Sequence, residues 1–305
     1  MSTEPWSGQL HNCSDPDEPH PPLTAFELSS TSSYSPNLLL WVGGLSDVLG
    51  SAVYLSRLGS ALAPVGWGVA QAGLRSAAHG WGGFSVADDA QGLAQIVRYF
   101  KEKRGKDKVV LMGFSTGCQD AIAYLHLHGL KSFPNLAGVI LQAPVSDREA
   151  IQAYFPDVLP STPRPEPGTD LAAFVPHAWS SKFWTRGGVT YKRWWSLAAK
   201  PDTDEINLDE SEDFFSSDLS PQRYKNVFAP LAAPILFLLG DKDMTYPPAV
   251  RDNLPEQLER LKTALPDHKL FSPLSAVLAG AGHQVAEEAP QAILVEKVVE
   301  FVKAL

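Results

Sequence analysis

The chain is poor in several things at once. Its 305 residues include two cysteines, Cys13 and Cys118. One lies in a polar opening segment and the other just past a glycine-rich turn, which excludes a disulfide framework as the organising device and fits a reducing compartment. No run approaches the roughly 18 apolar residues that a membrane helix requires. The first 22 residues hold no lysine, no arginine and no apolar centre, so they do not read as a secretory leader. Basic residues number 25 against 34 acidic ones, for a net charge of −9, and they are scattered. That balance excludes nucleic acid and anionic membrane surfaces as partners. No Cys/His group has zinc spacing, no Gly-x-Gly-x-x-Gly opens a dinucleotide fold, and there is no P-loop. No repeat of 20–50 residues is visible. What remains is a cytoplasmic protein acting on a small molecule, with no metal or organic cofactor and with its oligomeric state open.

Apolar residues make up 44% of the chain, enough for a sizeable core. Several continuous apolar runs have the length of strands covered on both faces: Asn37 to Val42, Trp67 to Leu74, Val109 to Phe114, Ala137 to Ala143 and Pro234 to Leu239. Helical spacing fills the gaps, at Val86 to Arg104, Asp252 to Thr263 and Glu287 to Leu305. Strands alternating with helices predict an α/β fold with a mostly parallel, doubly wound sheet. Met1 to Pro22, polar and rich in Pro, Asp, Glu and His, reads as a poorly ordered extension. Residues 23–305 then form the folded domain.

The rhythm breaks between about 147 and 229. Five prolines fall between Pro156 and Pro167, four of the eight tryptophans lie in the segment, and eight acidic residues with no basic one run from Asp202 to Asp218. Proline forbids regular structure there, and the segment reads as a cap inserted between late strands, over the site. Trp179 and Trp184 are candidates for walling a substrate pocket, as are Trp81 and His79 from an earlier Gly- and His-containing loop. Packing of the cap onto the body is the competing use of the tryptophans. The acidic stretch reads as a solvated loop in preference to a cation site.

The chemistry starts at Val109-Val-Leu-Met-Gly-Phe-Ser115-Thr-Gly-Cys-Gln-Asp120. A buried strand runs into Gly-x-Ser-x-Gly and then into a helix. Such a turn raises the serine hydroxyl above the strand ends at a helix N-terminus, where negative charge is favoured. A serine hydroxyl needs a base, and the base needs a carboxylate to hold its tautomer. In sheet-based hydrolases the order along the chain is serine, acid, histidine, which here selects Ser115, Asp243 and His283. Asp243 follows an apolar strand through Gly240-Asp-Lys-Asp, and His283 closes Gly280-Ala-Gly-His after the last strand. Asp241 is the rival acid, with Asp47 and Asp120 behind it. The oxyanion donors are expected at the N–H of Thr116 and in the Gly43-Gly44-Leu45 loop, with Leu45 first and Gly44 as the alternate. Cys118, three residues into the helix, reads as a small buried contact.

These parts describe a serine esterase working through an acyl-enzyme, with a thioesterase, lactonase or peptidase possible on the same triad. A binding protein on a hydrolase scaffold is the alternative from another class. At this point the chain resembles the α/β-hydrolase superfamily. More narrowly, it is similar to a mostly fungal family first labelled as a domain of unknown function. The resemblance rests on Gly43-Gly44-Leu45, Gly80-Trp81-Gly82, Ser115-Thr-Gly-Cys-Gln-Asp120, Gln142-Ala-Pro-Val-Ser-Asp-Arg-Glu149 and Phe215-Ser-Ser-Asp-Leu219. Phe114 stands where a histidine is common in that family. The resemblance implies an α/β-hydrolase fold. It also implies, as a candidate activity, intracellular cleavage of hydroxamate siderophore esters of the fusarinine C or triacetylfusarinine C type, with release of iron.

Overall fold

The computed structural model describes residues 5–15, 17, 22–29, 35–128, 133–159, 164–181 and 187–305. Among these, the strands are β1 (Gly8–Asn12), β2 (Thr24–Leu28), β3 (Asn37–Val42), β4 (Trp67–Gly73), β5 (Val109–Phe114), β6 (Gly138–Gln142), β7 (Ile235–Gly240) and β8 (Ala276–Leu278). The helices are α1 (Leu55–Leu62), α2 (Val86–Glu102), α3 (Thr116–Leu127), α4 (Asp147–Tyr154), α5 (His177–Ser180), α6 (Tyr191–Ala198), α7 (Pro221–Phe228), α8 (Pro248–Arg251), α9 (Leu254–Ala264) and α10 (Glu288–Lys303).

One sheet carries all eight strands in the order β1-β2-β4-β3-β5-β6-β7-β8. The pairs from β4 through β8 are parallel, while β1 and β2 are added antiparallel. Alternate residues of each central strand enter opposite cores. Val109 and Leu111 of β5 face the layer holding α2, α3, α7 and α9, whereas Val110, Met112 and Phe114 face α1 and α10. Both faces are therefore apolar, which is why the strand sequences read as unbroken apolar runs. Burying each such side chain stabilises the fold by about 1.5–3 kcal/mol.

The N-terminal segment departs from expectation. Instead of a poorly ordered extension, Gly8–Asn12 pairs along the free edge of β2. His11 is buried between the Tyr99 hydroxyl, at 3.0 Å, and the Glu27 carboxylate, at 3.1 Å. An edge strand gains its stability from backbone pairing and a few side chains, so a polar composition does not forbid it.

The segment between β6 and β7 is also not uniform. Ile151, Val158, Val175, Val189, Trp194 and Leu197 form a small core of their own, against which Trp81 packs. From Phe214 onward the chain returns to the main core through Phe214, Phe215, Tyr224 and Phe228. The excursion thus ends before residue 229, and α7 belongs to the body. Glu212 and Asp213, inside the acidic stretch expected to be solvated, are 1% and 3% exposed. Each ion-pairs with a buried arginine: Glu212 with Arg193, and Asp213 with Arg148 at 2.6 Å.

Candidate active site

Ser115 sits between β5 and α3 with φ 54° and ψ −122°. A non-glycine residue holds a positive φ only where its surroundings over-determine it, and here they do. Ser115 N–H donates to the Gln142 carbonyl at 3.1 Å. A Cβ on Gly113 would lie 2.2 Å from the Gly117 carbonyl oxygen, and one on Gly117 would lie 2.4 Å from that of Val42. The two flanking glycines let β5, α3 and the end of β3 meet at that distance, and the serine is raised at the junction.

Asp243 and His283 arrive from the turns after the last two parallel strands, β7 and β8. His283 Nε2 lies 3.0 Å from Ser115 Oγ, and His283 Nδ1 lies 2.7 Å from Asp243 Oδ2. Asp243 is fully buried, and its other oxygen accepts the Thr245 N–H at 2.8 Å. The rival Asp241 points elsewhere and accepts the Gly280 N–H at 2.7 Å, tying the turn after β7 to the one after β8. Gly240 permits that contact, since a Cβ there would lie 2.5 Å from the Ala281 carbonyl oxygen.

A buried hydrogen-bond chain holds the histidine loop. Trp41 Nε1 donates to the Tyr54 hydroxyl, Tyr54 donates to Gln142 Oε1, and Gln142 Nε2 donates to the His283 carbonyl, each at 2.9 Å. The Phe114 ring lies 4.9 Å from the His283 ring and stacks on Trp41 at 5.9 Å. The sequence signal for this chain was a glutamine ending the apolar run Val-Ile-Leu-Gln142, a buried amide that must find partners.

The Gly44 N–H donates to Asp47 Oδ2 at 2.8 Å, and Asp47 N–H returns a bond to the Gly44 carbonyl at 3.1 Å. Gly44 is therefore committed within the loop, whereas among the described residues no hydrogen bond engages the Leu45 N–H. Gly44 also lies against Ser115, because a Cβ there would be 2.8 Å from Ser115 Cβ. Thr116 opens α3, where the first N–H groups have no partner within the helix. Burial pushes the Asp47 carboxyl above its usual range, opposed first by the bond from Gly44. Cys118 is fully buried, with Sγ 3.3 Å from the Gly113 and Gln142 carbonyl oxygens, and burial raises its thiol well above the usual value. That makes it an inert contact rather than a nucleophile.

The other candidates divide. Trp81 lines a cavity of about 370 Å³ beside Gly44 and Thr116. Its backbone carbonyl accepts from Arg193 Nε at 2.9 Å. His79 lies against Gly187 and is not among the residues lining that cavity. Trp179 packs edge-on against Tyr191 at 5.7 Å, beside the small core of the cap. Trp184 lies outside the described residues.

Sequence reasoning missed the buried charges on the far side of Thr116. Asp89 and Asp120 line the same cavity as Arg193, with Glu212 behind Arg193. A usable signal was present at Arg193, four residues before Leu197, which puts an arginine on the apolar face of α6.

A family model described as "Protein of unknown function (DUF1749)" matches residues 1–303. Fusarinine C esterase sidJ of Aspergillus fumigatus is 30% identical over 339 aligned positions, covering 93% of this chain and 93% of that protein. Esterase AN6793 of Emericella nidulans is 35% identical over 175 residues, covering 49% of this chain and 45% of the relative. The solved structure of siderophore hydrolase EstB from Aspergillus fumigatus superposes with a TM-score of 0.80 at 28% identity, over 100% of this chain and 99% of that one. The sheet order, the turn at Ser115 and these likenesses converge: the chain is a carboxylic ester hydrolase of α/β-hydrolase fold and belongs to the DUF1749 family.

Proposed function

We propose that Ser115 is the nucleophile of a serine esterase, with His283 as its base and Asp243 as the group that orients the base. The observation that carries this reading is the unbroken line Asp243–His283–Ser115 at 2.7 and 3.0 Å, ending on a serine held at positive φ. The buried carboxylate accepts a hydrogen bond from Nδ1–H, which leaves the Nε2 lone pair facing the hydroxyl. Ser115 Oγ attacks the ester carbonyl as its proton passes to Nε2. The N–H groups of Thr116 and Leu45 take the developing oxyanion, and such donors are each worth roughly 10²–10³ in rate. The imidazolium then gives its proton to the leaving alkoxide, and an acyl-enzyme remains. Water, deprotonated by the same imidazole, releases the acid. No step calls on a metal or organic cofactor.

The substrate we propose is a hydroxamate siderophore ester, the class named for the relatives from Aspergillus fumigatus. The enzyme would open the ester links of the iron-bearing ligand. A cytoplasmic place of action belongs to the same reading and is supported by two buried free thiols. Among the described residues no helix is long and apolar enough to cross a membrane.

Two measurements test this. A fluorophosphonate probe is expected to add once, at Ser115, and a folded protein that takes no label there overturns the nucleophile assignment. A panel of ferric and iron-free fusarinine-type esters beside short acyl esters tests the substrate. Turnover of the short esters alone would retain the esterase and remove the siderophore.

A further inference from the structure

The cavity beside the oxyanion loop has two unlike ends. Val48, Leu49, Leu74 and Ala77 supply apolar wall, whereas Asp89, Asp120 and Arg193 supply charge at one end and Asp47, occupied by the Gly44 N–H, lies at the loop. The charges are out of balance. Arg193 is 2% exposed and already engaged, with Nε donating to the Trp81 carbonyl and Nη1 to Glu212. Asp89 and Asp120, 6% and 3% exposed, share that one guanidinium with Glu212. Two buried side-chain atoms of the cavity lining have no partner among the described residues: Asp120 Oδ1 and Thr116 Oγ1. Thr116 and Asp120 lie one helical turn apart on α3, so both face the same way. Buried oxygens without donors are costly, and together they describe a place that lacks a cation able to donate several hydrogen bonds.

We propose that this cavity is a subsite for a protonated primary amine on the ester substrate, its alkyl arm along Val48, Leu49 and Ala77 and its ammonium against Asp120 Oδ1, Asp89 and Thr116 Oγ1. The proposal rests on the serine-esterase reading, because the cavity begins at Gly44, Leu45 and Thr116, the residues around the nucleophile. An ammonium carries three donors and no acceptor, which matches Asp120 Oδ1 and Thr116 Oγ1, unpartnered among the described residues, with Asp89 beside them already taking the Ser76 hydroxyl. An anion would meet three carboxyls, Asp47, Asp89 and Asp120, and an arginine already in use. Among the described residues no set of three carboxylates, histidines or cysteines is disposed to hold a metal ion, which favours an organic cation.

Charge state gives the subsite a pH dependence. Burial pushes the Asp89 carboxyl up to about 7, opposed by the Ser76 hydroxyl and by Arg193 and reinforced by Asp88 and Glu212. Burial raises Asp120 well above the ordinary range, as do Asp89, Glu212 and Asp147, while Arg193 opposes the shift. A bound ammonium favours the ionised carboxyls, so preference for the amine grows as pH rises through about 7.

The test compares four esters in matched pairs. Methyl 6-aminohexanoate and its N-acetyl counterpart place the amine on the acyl side. The O-acetate of 6-aminohexan-1-ol and its N-acetyl counterpart place it on the alcohol side. In one of the pairs the wild-type kcat/KM is expected to favour the amine by about tenfold or more, tenfold being about 1.4 kcal/mol. The difference should lie in KM and widen from pH 6 to pH 8. The ratio should fall toward one in Asp120→Asn, or in Asp89→Asn if that variant is the better folded. A wild-type ratio near one in both pairs overturns the subsite and leaves the esterase intact. Failure to turn over any of the four, with no fluorophosphonate adduct, strikes the esterase instead. Calorimetric titration with pentylammonium against 1-hexanol then reads the cavity without turnover, and equal binding of the two also overturns the subsite.

Discussion

Two groups of polar side chains flank Thr116, and they obey different rules. On one side Ser115, His283 and Asp243 form a line in which each hydrogen bond has a single partner at ordinary length. On the other, Asp89, Asp120 and Glu212 crowd around Arg193, and one oxygen each of Asp120 and Glu212 has no donor among the described residues. The first group hangs from the ends of parallel strands, whose spacing the backbone fixes. The second is assembled from α2, α3 and the cap, elements that meet only through side chains. Under the roles proposed above, the contrast separates bond-breaking machinery, where geometry must be exact to a fraction of an ångström, from a recognition surface, where incomplete satisfaction makes room for a ligand.

The comparison can be broken or sharpened by variants on each side. The largest effect is expected for Ser115→Ala, a fall in kcat/KM of roughly 10⁴-fold or more, read with a short acyl ester and accompanied by loss of the fluorophosphonate mass shift. Next is Arg193→Met. Removing the one guanidinium leaves Glu212 uncompensated in a buried site, and stability should drop by about 3–5 kcal/mol, measured by urea unfolding. A loss under 1 kcal/mol would show the carboxyls already neutral and weaken the contrast. Gly44→Ala should come third, since its Cβ would stand 2.8 Å from Ser115 Cβ. A displaced nucleophile predicts roughly 10²-fold slower turnover with little change in Tm. Tyr54→Phe breaks the chain from Trp41 to the His283 loop and should cost about 1–3 kcal/mol of stability, with a smaller fall in kcat than Gly44→Ala.

The last effect is read against pH. Asp89 ionises near 3.8 in the unfolded chain and at about 7 in the fold. Between those values the native state holds a proton that the unfolded state has released. Stability therefore falls as pH rises across that window and is level above it. Asp89→Asn removes this contribution, so its Tm should decline less than that of the wild type between pH 5 and pH 8. Equal declines would place the titrating group elsewhere.

Much of the catalytic rim is legible in the chain because its cues are local. Gly113 and Gly117 bracket Ser115, and Gly240 precedes Asp243 by three residues. In each case a glycine sits where the structure lets two backbones approach within the reach of a Cβ. Which of Leu45 and Gly44 keeps its N–H free is not legible in the chain, since it turns on the bond from the Gly44 N–H to Asp47. That bond depends on a loop conformation that includes Ser46 at φ 68°, which composition does not encode.

The sequence by itself determined the parallel sheet, the position of the nucleophile turn and the order of the three catalytic candidates. Apolar runs, helical spacing and glycine turns act over a few residues, and the right-handed crossover rule converts them into strand neighbours. Only the tertiary structure decided that a polar opening segment becomes β1, that Glu212 and Asp213 turn inward, and that Asp89, Asp120 and Arg193 share one cavity. The physical reason is range. A strand edge offers hydrogen bonds to almost any sequence, and a charge is buried only when a partner far along the chain, such as Glu212 for Arg193, arrives to meet it.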